Sequence, residues 1–219
     1  MQQLQRVLIW PPGLRLSHWI LALSTSGLWL SGWLFNRAAS VFPAALDVHF
    51  IFAWLLLIAL ALRLWHLVGS AQRVGNWRSL LPVRREWPHM RATLRCYFSF
   101  GKSPLPRWHA HNPLWRPVYA LLWLAILLQC LTGFIVASGY YHAAGLRLLP
   151  LHGVLAEVII TICLLHISSV IVHDLKGGNS DISAMIHGYR LFILDKSPLN
   201  SLSREVRFEP MKPRKEKKE

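Results

Sequence analysis

Apolar residues fill four stretches of the chain, 14–35, 48–68, 117–137 and 151–175, and polar residues collect between them. Each stretch is close to the roughly 20 residues a helix needs to cross a hydrocarbon core of about 30 Å. In WPPGLRLSHW the triplet Pro11, Pro12 and Gly13 breaks the chain just ahead of the first stretch. After the fourth, GGNSD stops the helix. Ser180 or Asp181 would then cap a short amphipathic helix from Ile182 to about Ile193, lying on the membrane surface. The pattern predicts an all-α fold: an integral membrane four-helix bundle plus a short amphipathic surface helix. It divides the chain into a transmembrane domain over 1–195 and a basic tail over 196–219, which is rich in Pro, Lys and Glu and expected to be disordered.

Composition and charge orient this bundle. Of 219 residues 53% are hydrophobic and only 16% charged, yet the net charge is +14, so the few charges are biased in sign. Lys and Arg are also biased in place. Arg6 precedes the first span and Arg15 opens it; the connection 69–113 holds Arg73, Arg78, Arg84, Arg85, Arg91, Arg95, Lys102 and Arg107; the chain closes on PRKEKKE. The connections 36–47 and 138–150 offer only Arg37 and Arg147. Under the positive-inside rule both termini and the long connection are cytoplasmic, and the two short connections face outward. No nucleic-acid recognition motif accompanies the basic residues, which sit in loops and the tail, so a nucleic-acid partner is not expected. Cys96, Cys130 and Cys163 form neither CxxC nor CxxCH, which argues against a disulfide framework and covalently attached c-type haem. The first apolar segment lacks a convincing small-residue cleavage site and reads as a retained span.

Histidine is the residue type that membrane crossing does not require. The fourth stretch carries His152, His166 and His173. Steps of 14 and 7 residues each return to nearly the same helix face, so the three rings line one side. At about 1.5 Å of rise per residue, His152 and His166 stand about 21 Å apart, room for two flat cofactors stacked across the membrane. Depth supplies partners. His49 starts the second span at its outer end, as His152 does the fourth, while His18 lies in the inner half with His166 and His173. Two axial pairs at two depths follow, His49 with His152 and His18 with His166, with His173 an alternative to His166. His66, His89, His109, His111 and His142 read as interfacial, although His66 lies near enough to the inner end to share a site with His173. Glu157 points about 140° away from the His152 face, away from any ligand role. The third span has no histidine; its main polar residues, Gln129 and Thr132, read as contacts between helices in a structural span.

Several segments resemble the prokaryotic di-haem cytochrome b561 superfamily and, within it, the b-type cytochrome subunits of nickel-iron hydrogenases. They are RLSHW at 15–19, HFIFAWLLLIALALRLW at 49–65, HNPLWRPVYALLWLAILLQCLTG at 111–133, LHGVLAEVIITICLLHISSVIVHD at 151–174 and ISAMIHGYR at 182–190. The resemblance implies two b-type haems with His18, His49, His152 and His166 as axial ligands to iron, and it selects His166 over His173. It also implies a multi-pass protein of the bacterial inner membrane, in contact with lipid. Such a subunit passes electrons between a periplasmic redox enzyme and the quinone pool, and MRATLRCYFSFGKSPLPRWHAHNP favours a hydrogenase and its small subunit as partner. Related subunits serve other periplasmic dehydrogenases and reductases. Arg15 and Arg63 are candidate contacts of the inner haem propionates; His173 and Asp174 are candidates for the quinone site and for proton delivery there. Two other readings are a stand-alone b561-type quinone reductase such as a superoxide oxidase, and a haem-free membrane anchor or transporter.

Overall fold

The computed structural model describes residues 3–69, 76–81, 83–177 and 181–194. Ser180 and the tail 196–219 lie outside the described residues. The elements run β1 (Gln3–Leu8), α1 (Pro12–Arg37), α2 (Phe42–Gly69), α3 (Trp87–Phe98), α4 (Trp115–Ala137), β2 (His142–Ala143), β3 (Leu146–Arg147), α5 (Leu148–Gly177), α6 (Asp181–His187) and β4 (Tyr189–Leu194). The fold is mostly helical, and the four apolar stretches are α1, α2, α4 and α5.

The helices begin earlier than the apolar runs suggest, and proline is the reason. Pro12, Pro43, Pro117 and Pro150 each sit in the first turn of a long helix. The first-turn N–H groups have no intrahelical acceptor, so a residue without one costs nothing there.

By length and apolarity α2, α4 and α5 qualify as membrane spans. Only 11% of the most apolar window of α4, and of α5, is buried inside the protein, so their leucines and isoleucines face outward, as lipid rather than water requires. Helix α1 is less apolar because it carries an inward polar stripe. Ser17, Ser24 and Ser31, seven residues apart, are buried. Each hydroxyl donates to a carbonyl three or four residues back in its own helix. One apolar cluster draws on all four long helices: Leu56 and Leu60 of α2, Ile126 of α4 and Ile159 of α5, with Leu21 and Leu28 of α1 against them.

Two short ribbons correct the all-α expectation. Strand β1 pairs antiparallel with β4, from Gln3 opposite Leu194 to Leu8 opposite Tyr189, and β2 pairs with β3. The amphipathic helix expected over 182–193 therefore stops at His187. Its second half is a strand, with Arg190 buried at 3% exposure and Leu191 exposed at 45%, the alternation of a pleated segment. Gly188 makes the switch at φ +93°. Its carbonyl accepts from Ile9 and Trp10 N–H at 2.9 and 3.0 Å. A Cβ there would lie 2.7 Å from the Trp10 carbonyl oxygen. Gly188→Ala is expected to cost about 1–3 kcal/mol through backbone strain alone, seen as a lower melting temperature in detergent and faster proteolysis near β4; an unchanged melt would refute this.

The basic connection also holds structure that its charge concealed. Helix α3 buries Thr93 and Cys96 completely, below the ends of α4 and α5 that carry Trp115 and His173.

Candidate functional site

Four histidines on three helices form two pairs. The His18 and His166 ring centroids are 6.4 Å apart with the planes at 75°; those of His49 and His152 are also 6.4 Å apart, at 63°. The first pair lies toward the β1–β4 end, the second toward the β2–β3 end, and α5 contributes one ring to each. The equal separation has a chemical meaning. With metal–imidazole bonds of about 2 Å, two imidazoles on opposite sides of one metal stand about 6 Å apart, centroid to centroid. Among the described residues no three His, Cys, Asp or Glu side chains gather as a bare ion would require. Two facing donors suit a metal that brings its own equatorial ligands, as haem iron does. The residues present therefore fit haem at both positions.

Hydroxyl groups back three of these rings. Ser31 Oγ is 3.0 Å from His49 Nδ1, Thr132 Oγ1 is 3.0 Å from His152 Nδ1, and the Tyr119 hydroxyl is 3.2 Å from His166 Nδ1. Nδ1 is thus engaged in each, and Nε2 is the nitrogen that would face a metal, in His152 once Gln129 gives way. Gln129 Nε2 stands 3.0 Å from His152 Nε2, while its Oε1 is buried with no hydrogen-bond partner among the described residues. Gly133 lets this ring lie against the α4 backbone, since a Cβ there would be 2.9 Å from His152 Cε1. Trp115 packs edge-on against His166 at 5.7 Å. Helix α4, read from sequence as structural, thus supplies contacts to both pairs. Polarity inside an apolar run marked Gln129 and Thr132 but not the ring they face.

At the β1–β4 end the candidates divide. Arg15 donates to the Ile186 carbonyl, tying α1 to α6, and its Nε is buried with no hydrogen-bond partner among the described residues. Arg63 lies over the Trp123 ring at 5.9 Å. His66 rests against the start of α1, where a Cβ on Gly13 would meet its Nε2 at 2.5 Å. His173 is buried at 2% exposure, at the centre of a polar cluster. Trp115 Nε1 donates to the Tyr97 hydroxyl at 2.9 Å, which leaves the Tyr97 proton for His173 Nε2 at 2.7 Å. His173 Nδ1 faces the Asp181 carboxylate at 3.9 Å, and Trp108 packs edge-on at 4.8 Å. Asp174 accepts the N–H groups of Asp181 and Ile182 and so caps α6. Arg190 pairs with Asp181 and donates to the carbonyls of Trp108, His109 and Ala110. Burial lowers its pKa to about 10, so it stays charged at neutral pH. Burial, then the Arg63, Arg116 and Arg190 charges, push His111 down to about 3, leaving a neutral ring against Trp10 and Tyr119. At the other end Glu157 is exposed on the outer face of α5, away from the pairs.

Comparison with known proteins points the same way. The family model described as prokaryotic cytochrome b561 matches residues 9–188. A protein of Cupriavidus necator named "Probable Ni/Fe-hydrogenase B-type cytochrome subunit" is 24% identical over 206 residues, covering 81% of this chain and 84% of that one. A protein of the same name from Azotobacter vinelandii is 24% identical over 225 residues, covering 87% and 90%. No solved structure matches at a significant level.

Proposed function

The chain belongs to the prokaryotic cytochrome b561 family, a multi-pass membrane electron-transfer family with b-type haem, and from that membership we propose that it is a di-haem subunit linking a periplasmic nickel-iron hydrogenase to the quinone pool. The observation that carries the di-haem reading is the pair of histidine pairs, both at 6.4 Å, one toward each end of the helices. His49 and His152 would hold the outer haem, His18 and His166 the inner one. Each haem supplies a one-electron carrier, and two imidazoles leave no open position for oxygen. What the chain adds is burial, orientation and the local field.

Parity supports four crossings and the orientation. Strands β1 and β4 are hydrogen-bonded, so they lie on one side of the membrane, and the number of crossings between them must be even. Three helices qualify by apolarity; α1 makes the fourth, its polar stripe turned inward. The connection 69–113, rich in Arg, supports a cytoplasmic position for the β1–β4 end under the positive-inside rule. On this reading a periplasmic enzyme delivers electrons at the β2–β3 end. The names of the relatives favour a hydrogenase as that enzyme, and its small subunit as the neighbour. Quinone would be met at the opposite end, beside a chain of polar groups with exchangeable protons next to the inner pair: Tyr97, hydrogen-bonded to His173, and Asp181, 3.9 Å from the same ring. Asp174 keeps α6 seated over that chain. Arg15 and Arg63 are the cations on this side for haem propionates.

Membranes containing the native complex should show a b-type α-band in the reduced-minus-oxidised spectrum. Hydrogen should develop the band, an added short-chain quinone should bleach it, and the chain should copurify with hydrogenase subunits. Absence of the band would overturn the haem reading; a band indifferent to hydrogen and quinone would overturn the link.

A further inference from the structure

The hydroxyls behind the outer histidines are in the same predicament. Ser31 Oγ lies 2.7 Å from the Gly27 carbonyl and 3.0 Å from His49 Nδ1. Thr132 Oγ1 lies 2.9 Å from the Leu128 carbonyl and 3.0 Å from His152 Nδ1. A carbonyl oxygen has no proton to give, so the single hydrogen of each hydroxyl lies on the carbonyl four residues back. Only a lone pair is left for the imidazole. Nδ1 must then carry the proton in both rings, and Nε2 the bare lone pair.

The inner pair is built differently. His166 Nδ1 meets a phenol at 3.2 Å, and among the described residues no hydrogen bond reaches the His18 ring.

We propose that Ser31 and Thr132 are positioning residues that fix both outer imidazoles with Nε2 as the nitrogen for iron and, as acceptors from Nδ1–H, hold the outer haem at a lower potential than the inner one. The proposal rests on the four-ligand reading above. An acceptor on Nδ1–H makes the imidazole a stronger donor, and stronger donation favours the ferric state. Among the described residues the His18 ring has no such acceptor, so the inner pair lacks that push toward the ferric state. Electrons would therefore run downhill from the β2–β3 end toward the β1–β4 end, in the direction of quinone reduction.

The test is a potentiometric titration of the purified, haem-loaded chain, following the α-band. Two one-electron steps are expected. His152→Ala should delete the lower one. Thr132→Val keeps the shape but removes the acceptor, and Ser31→Ala removes the other; each should raise the lower step and leave the upper one in place. A change of up to tenfold in the ferric-to-ferrous preference moves a one-electron step by up to about 59 mV. Thr132→Ser keeps the hydroxyl and should restore the original potential, which a loss of packing alone would not explain. If Thr132→Val loses haem, the smaller Ser31→Ala change supplies the measurement. The proposal is overturned if both haems remain and the lower step does not move, or if His152→Ala deletes the upper step. A wild-type chain binding fewer than two haems would instead overturn the ligand reading, and this proposal with it.

Discussion

Replacing His152 with alanine is expected to remove one of two haems, and the residual spectrum should match that of His49→Ala. His18→Ala and His166→Ala should form a second matched set that keeps the other haem. The expectation follows from the pairing, since each ring faces one partner at 6.4 Å and a single remaining imidazole cannot enforce a six-coordinate site. Haem per protein, by pyridine haemochrome, should fall by about half in every case, far more than the 10- to 100-fold change in affinity typical of removing an outer-shell partner would produce at saturating haem. Four variants giving four different residual spectra would break the pairing. If His173→Ala lost a haem while His166→Ala did not, the inner pair would have to be redrawn around His173.

The largest effect on stability is expected from Arg190→Met. Arg190 is 3% exposed and its partner Asp181 only 14%. Removing the guanidinium leaves a carboxylate in low dielectric and takes a shared donor from the carbonyls of Trp108, His109 and Ala110. Breaking one side of a buried ion pair typically costs about 3–5 kcal/mol. For a chain of this size that is a fall on the order of 10 °C in melting temperature. The double variant Arg190→Met with Asp181→Asn should recover part of the loss, because the stranded charge goes with its partner. Haem-band melting in detergent would read both. A melt unchanged by Arg190→Met would mean that the clamp is not closed in the membrane-embedded protein.

Much of this arrangement could be read from the chain because the relevant signals are local or periodic. A 20-residue apolar run, a 14-residue step between His152 and His166, and the uneven placement of arginines each survive without knowledge of neighbours. Helix starts were misjudged by several residues because Pro43, Pro117 and Pro150 are the same letters whether they break a helix or open one. The β1–β4 ribbon escaped because its partners are separated by most of the chain, and six-residue strands carry little pattern of their own. The second half of the expected surface helix reads as amphipathic on either period; only Gly188, forced to positive φ under Trp10, decides for a strand. Ser31, Thr132 and Tyr119 were invisible as histidine partners for another reason. Which polar residue of a span meets which ring depends on the rotation of one helix against another, and that is settled by packing rather than by composition.

The β1–β4 ribbon also bears on biogenesis. Strand β1 leaves the ribosome ahead of the four long helices, but the strand it pairs with follows only after all four have been made. During all of that synthesis β1 presents an unpaired edge, the kind of surface that invites misassociation and quality control. Closure of the ribbon therefore requires that translation has passed residue 194 and that both strands have arrived on the same side of the membrane. A chain truncated before β4, or with one span inserted the wrong way round, would keep that edge open.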